Sequence, residues 1–408
     1  MKLTILNQFY PPDYAATGQL LEELGAELSK KGLEVEVFVG QPGYAYDQEL
    51  ANPNEVRKGI LVRRTRTSRI WPERIRGRAV GGLLYCLRVL VKLRFSARRG
   101  DIVLATTEPP YLLITAFLLN LLYRTPYVCL IYDLYPDVAV ELGVVPEAHI
   151  IVKVWRWLNR LTWQRASKII VLSATMKQLV LARQPELANK ITVIDNWADG
   201  HLIRPIAKAD NWFALENGLE KVFTVLYSGN LGRCHDLQTI MEAALLLRDQ
   251  PVRFVFIGAG AKLPICRDFV ALHQLENCLF LPFQPKEVLP YSLTAGDLNL
   301  VSVLEEAEGL VAPSKFYSCL ASGRAIAAIC PPHSYLREII QRAGCGGAIN
   351  NGDPDSLAQF ILDLATNRDT VATMGAKSRQ YFQENFTLES ITEKYLDVIE
   401  AAFIEASK

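Results

Sequence analysis

Two cations in the second half of the chain, Arg233 and Lys315, stand where the local sequence suits them to grip an anion. Arg233 lies in "SGNLGRCHDLQTIMEAAL". There Gly229 and Gly232 follow an apolar run and permit close backbone approach, and Leu237, Ile240, Met241, Ala244 and Leu245 fall on one helical face. The spacing predicts a turn that delivers Arg233 to a helix N-terminus, where free N–H groups and the helix dipole favour negative charge. Lys315 lies in "EGLVAPSKFYSCLASGRAIAAI". Ser314 after Pro313 reads as an N-cap, Phe316, Cys319 and Leu320 as a core-facing stripe, and Gly323 as the helix end before a strand. A lysine in a first helical turn opposes the dipole unless an anion is bound there. Each cation alone also reads as a solvated surface charge; the two together, at helix starts on one sheet edge, point to a diphosphate site. Gly258 and Gly260 of "FIGAG" follow another strand, where a nucleotide can lie against bare backbone.

The elements that must position these residues alternate. In the first half, short apolar runs at 3–6, 35–39, 101–106, 127–133 and 168–173 are interleaved with helical patterns near 18–31 and 110–122. After a polar stretch beginning at "ADGHLIRP", which reads as a linker, the rhythm resumes with strands at 221–229, 252–260, 278–283, 297–303, 325–330 and 346–350. This pattern predicts βαβ units and mostly parallel sheets, whose ligands bind at the carboxyl ends of the strands. In the first half that rule selects Gly18, at the start of a helix after "YPPDYAATG", and Asp13 and Asp133, on loops after strands. Each aspartate either faces an acceptor hydroxyl or caps a helix. The last helix carries Ile391, Tyr395, Val398, Ile399 and Ala402 on one face and needs a packing partner.

Composition narrows the class. A chain of 408 residues exceeds what one core serves and predicts two domains. The eight cysteines are scattered singly, without metal-ligand spacing, which fits a reducing cytosol, and "MKLTILNQFYPPD" enters a strand directly with no signal-peptide pattern. The longest apolar run, 111–123, is too short to span a bilayer of about 20 residues. The net charge of +1 hides a polarity: residues 57–99 carry 14 Lys or Arg against the single Glu73. Residues 153–168 add three tryptophans and five cations. Basic, apolar and Trp-rich segments of this kind suit an anionic membrane surface; the competing reading is a helix pair packed on the core with solvated charges. No nucleic-acid-binding module accompanies the positive charge, so nucleic acid is not expected as a partner.

As a set, "SGNLGR", "FIGAG", "EGLVAPSK" and "CLASGRAIAA" resemble the group 1 family of GT-B glycosyltransferases, retaining enzymes that use nucleotide sugars. "QFYPPDYAATGQLLEELGAELSKKGLEVEVF", "YDLYPDVAVELG" and "VIDNWAD" are similar to the branch that builds bacterial surface polysaccharides and related glycoconjugates. The resemblance implies an α/β GT-B fold: two Rossmann-like domains with mostly parallel sheets facing a central cleft. Residues 1–195 would bind the acceptor and 196–385 the donor, with the helix at 386–408 packing back on the N-terminal domain. It implies that Arg233 and Lys315 hold the donor diphosphate and stabilise charge as the sugar leaves, that Glu308 with Gly309 binds sugar hydroxyls unless it is a solvated loop residue, and that Asp133 serves the acceptor. Gly18, Gly229, Asn230, Gly258, Gly260, Leu310, Val311 and Ser314 complete the expected donor site. The donor would be a UDP-sugar or GDP-sugar, the acceptor a lipid-linked or other saccharide, and the location the cytoplasmic face of the inner membrane. No metal or cofactor is expected, because the two cations do the electrostatic work. Ser318 stands where many members carry a second glutamate, and His235–Asp236 where a Lys-Gly or related pair is usual, which leaves a non-catalytic glycan-assembly partner as the alternative. A dinucleotide oxidoreductase is disfavoured, since no GxGxxG follows the first strand.

Overall fold

The computed structural model describes residues 1–13, 16–42, 50–66, 75–96 and 101–406. The chain divides into two compact units, Met1–Asp195 with Leu388–Lys408, and Asn196–Thr387.

The first unit is built on eight strands: β1 (Lys2–Leu6), β2 (Glu34–Val39), β3 (Asn54–Arg57), β4 (Ile60–Arg64), β5 (Ile102–Thr106), β6 (Tyr127–Ile131), β7 (Lys168–Val171) and β8 (Ile191–Val193). Their order is β3-β4-β2-β1-β5-β6-β7-β8, parallel throughout except for the β3–β4 pair. β5 and β6 are buried at every position, which is why they read as unbroken apolar runs: helices cover both faces of a parallel sheet, so no side of the strand meets water. The last helix, Leu388–Ala406, buries the predicted stripe of Ile391, Tyr395, Val398, Ile399 and Ala402 against the helix Ala16–Lys30 and strands β5 to β7.

The second unit holds β9 (Phe223–Ser228), β10 (Val252–Ile257), β11 (Cys278–Leu281), β12 (Leu298–Ser302), β13 (Ala325–Ile329) and β14 (Gly346–Ile349), all parallel in the order β11-β10-β9-β12-β13-β14. Alternation within β9 divides its side chains between two cores. Phe223, Val225 and Tyr227 join one with Ile240 and Met241, while Leu226 joins the other with Phe213 and Val255. The α/β class expected from the sequence is the class observed.

Two segments differ from their sequence reading. Within the basic stretch, β3 and β4 form a hairpin whose turn places Lys58 at φ 51° and Gly59 at φ 82°. A turn with positive φ at both central residues matches strand twist. The cations of this hairpin are occupied: Arg57 and Lys58 pair with Glu22, Arg63 with Glu36, and the fully buried Arg64 with Glu55. The polar stretch after β8, read as a linker, is clamped to the second unit. Arg324 donates to the Ile206 carbonyl at 2.6 Å, and Arg379 to those of Ile203 and Gly200 at 2.8 and 3.0 Å.

Candidate functional site

Lys315 opens the short helix Lys315–Ala321, and its ammonium is turned onto the end of β9. Nζ lies 3.7 Å from the centroid of the Tyr227 ring, donates to the Tyr227 hydroxyl, and reaches the Asn230 carbonyl at 3.3 Å. Among the described residues it pairs with no carboxylate. Burial without a counter-ion disfavours the charged form, and pushes the Lys315 ammonium down to about 7. Tyr227 is itself fully buried, the penultimate residue of β9, and its hydroxyl also meets the Asn230 carbonyl at 3.1 Å and His235 Nδ1 at 2.9 Å. The Gly232 N–H donates to that same Nδ1 at 3.2 Å, which fixes it as an acceptor. Burial first, then the charges of Lys315 and Lys262, hold His235 well below the usual histidine range, so the imidazole is neutral.

Arg233 stands on the same β9 loop, exposed and without a carboxylate partner among the described residues. Its predicted place at a helix N-terminus needs correction. The helix begins at Gln238, and Asp236 caps it by accepting from the Thr239 N–H at 3.1 Å and hydroxyl at 2.8 Å, so Arg233 belongs to the loop. Asp236 also accepts from Asn351 at 3.0 Å, giving this departure from the family pattern a structural role. Gly258 and Gly260 allow a close approach of the protein to itself. A Cβ on Gly258 would fall 2.1 Å from the Gly229 carbonyl oxygen, and one on Gly260 2.5 Å from Asn230 Oδ1, so their loop is pressed against residues 229–231. Glu308 is buried, Gly309 takes φ 74°, Leu310 is buried and Val311 half-buried, and the Leu310 and Val311 N–H groups donate to the Ala307 carbonyl in a tight turn. Ser314 does not cap its helix: it has helical dihedrals, its side chain makes no capping bond, and its carbonyl accepts from the Tyr317 N–H. Ser318 is half-buried in the middle of that helix.

In the first unit the carboxyl ends of β1, β5 and β6 bring Asp13 and Asp133 within electrostatic reach of Glu108. Glu108 is the residue that sequence reading missed. Burial pushes its carboxyl up to about 8, with Asp133 and Asp13 adding to the rise against a hydrogen bond from the Thr17 hydroxyl. Burial likewise pushes Asp133 up to about 6, while its N–H donates to the Thr107 hydroxyl at 3.3 Å. The available signal was position: Glu108 follows β5 as Asp133 follows β6, and the strand-end rule covers both. Gly18 lies in the first turn of its helix, packed so closely that a Cβ would sit 2.9 Å from the backbone of Phe9 and Tyr10.

The basic helices are divided by face. In the helix Ile75–Ser96, Tyr85, Cys86, Val89 and Leu93 are buried, while Val80, Leu83, Leu87 and Val91 form an exposed stripe, 44–60% accessible. Residues 67–74 and 97–99 of the basic stretch lie outside the described residues. In the helix Ile150–Arg165, Trp157 is 58% exposed beside exposed Ile150, Ile151 and Val154, but most cations are engaged: Arg156 with Asp137 and Glu147, Arg160 with Glu186, Arg165 with Asn120. Lys168 pairs with Glu405. No helix among the described residues is long and apolar enough to cross a membrane.

Two family models match in succession: a glycosyl transferase 4-like domain over residues 16–197, and glycosyl transferases group 1 over residues 222–367. The chain belongs to the group 1 glycosyltransferases. This glycosyltransferase is 28% identical over 326 residues to the probable glycosyltransferase WbjE of Pseudomonas aeruginosa, covering 79% of this chain and 80% of that one. It is 27% identical over 218 residues to the putative colanic acid biosynthesis glycosyl transferase WcaI of Escherichia coli K12, 52% of each chain. Sucrose-phosphate synthase from Thermosynechococcus elongatus matches its structure with a TM-score of 0.79 at 15% identity, over 99% of this chain and 100% of that chain. HepE of Anabaena, in complex with UDP-glucose, gives 0.73 at 16% identity over 98% and 100%. These likenesses place the glycosyltransferase in the GT-B fold.

Proposed function

We propose that this glycosyltransferase transfers a sugar, with retention, from a nucleoside-diphosphate sugar to a hydroxyl of a lipid-linked acceptor in surface glycan assembly. The observation that carries the donor reading is Lys315: a half-buried ammonium with no carboxylate partner among the described residues, in contact with the β9 loop that bears Arg233. A cation desolvated without a counter-ion costs free energy until an anion arrives. A donor diphosphate supplies that charge, and it becomes more negative as the sugar leaves, so preorganised cations act most strongly on the transition state. In this reading a leaving phosphate oxygen takes the acceptor's proton, Glu308 and Gly309 hold sugar hydroxyls, and Asn230, Leu310, Val311 and Ser314 line the donor. HepE is described in complex with UDP and UDP-glucose, which favours UDP over GDP as the base-bearing half.

The acceptor reading rests on Asp133, joined by Glu108, at the strand ends of the first unit. Colanic acid assembly in the name of WcaI, and lipopolysaccharide biosynthesis in that of the structural neighbour WaaG, support a glycan acceptor. The exposed stripe Val80, Leu83, Leu87 and Val91, with Trp157, fits the headgroup depth of an anionic membrane, where a lipid-linked acceptor resides. Titration with UDP and GDP, followed by thermal shift, tests the donor reading: K315A and R233A each lose at least tenfold in affinity, and unchanged affinity in K315A rejects it. Flotation with anionic liposomes at low salt tests membrane docking; protein remaining at the bottom of the gradient rejects that part.

A further inference from the structure

We infer that Tyr227 is the positioning residue for Lys315, and that neutral His235 keeps the Tyr227 hydroxyl turned to receive the lysine's hydrogen bond; this rests on the donor reading above. The bookkeeping of protons leads there. The Lys315 ammonium has only donors, and the oxygens it meets are the Tyr227 hydroxyl and the Asn230 carbonyl. The phenol has a single proton; Asn230 O at 3.1 Å and His235 Nδ1 at 2.9 Å lie within its reach as acceptors, with the Ser302 hydroxyl also beside the phenol oxygen. Nδ1 carries no proton, since the Gly232 N–H already points at it from 3.2 Å. Whichever acceptor the phenol serves, its proton is directed away from Lys315 and an oxygen lone pair is left for Nζ. The ring adds its negative face under the ammonium at 3.7 Å. A Cβ at Gly229 would lie 3.5 Å from Lys315 Cε, so the bare backbone there leaves room for the lysine stem. The lysine is therefore held by the hydroxyl and ring of the fully buried Tyr227 at the end of β9 and by the Asn230 carbonyl of the loop that follows. Lys262 ties the same loop from behind, donating to the His235 carbonyl at 2.6 Å.

A double-mutant cycle on UDP affinity separates this assignment from a merely structural role. Y227F removes the hydroxyl and keeps the ring; it is expected to weaken UDP binding about tenfold, the size of one hydrogen bond to a charged group, in the native background and less than twofold in K315A. An equal loss in both backgrounds, or none in the native one, overturns the inference. If K315A itself binds UDP as the native protein does, the donor reading fails instead, so the two failures are told apart. Should Y227F not fold, the His235 pair decides. H235N keeps an acceptor atom near the place of Nδ1 and is expected to bind UDP within twofold of native, whereas H235A loses several-fold. Native affinity in both overturns the inference.

Discussion

Raising the pH from 7 to 9 is a clean way to remove the charge of Lys315 without touching its contacts. In the unliganded protein its ammonium titrates at about 7, against an ordinary 10.5, because burial opposes the charge. A diphosphate beside it favours the charged form and returns the group toward its ordinary value. The linkage sign follows: below 7 the lysine is protonated with or without ligand and affinity is flat, while above 7 binding must take up a proton and affinity falls about tenfold per pH unit. At pH 9 the dissociation constant for UDP is then about a hundredfold larger than at pH 6. Neighbouring groups do not share this window. His235 is already neutral and Cys319 is pushed up to about 12. The second ionisation of a phosphate, near 6, touches only the lower edge. Isothermal titration of UDP at constant ionic strength and several pH values reads the slope, and buffers of different ionisation enthalpy count the proton. K315R, whose guanidinium does not titrate here, should give a flat profile. A flat profile in the native protein between pH 7 and 9, or the same slope in K315R, refutes the reasoning.

The carboxyl cluster of the first unit carries a linkage of the same sign, to folding instead of to binding. Glu108, pushed up to about 8, binds a proton more tightly folded than unfolded, so it favours folding at low pH and this contribution is lost as pH rises toward 8. E108Q should therefore lose less thermal stability than the native protein between pH 5 and 8.5; parallel melting curves would show that the carboxyl carries no such penalty. In the second unit, G258A must place a Cβ 2.1 Å from the Gly229 carbonyl oxygen at φ 137°. It is expected to cost about 2 kcal/mol or more, and to weaken UDP binding over tenfold by displacing the Asn230 carbonyl from Lys315. Native melting and native affinity in G258A would contradict this.

The sheets were legible because central parallel strands bury both faces, so β5, β6 and β13 appear as short apolar runs separated by helical patterns. The β3–β4 hairpin was hidden for the complementary reason. It holds as many cations as apolar residues, four of each, and of the carboxylates that neutralise them Glu55 is its own while Glu22 and Glu36 come from elements earlier in the chain. A local count of charge registers a basic surface where folding produces ion pairs, and the surplus that reaches solvent is correspondingly smaller. The same distinction runs through the candidate site. All parallel strands of one sheet end at one edge, so choosing loop residues there brings Arg233 and Lys315 into view from spacing alone. Which side chains then touch depends on contacts that spacing does not encode. Tyr227, placed like any core residue in an apolar strand, lies 88 positions from the lysine it holds, and Thr17 lies 91 from the carboxyl it meets. Topology assembles the candidates, and a few long-range polar contacts to buried hydroxyls select among them; the tyrosine hydroxyl is therefore the more informative target for substitution than any further exposed cation on the same edge.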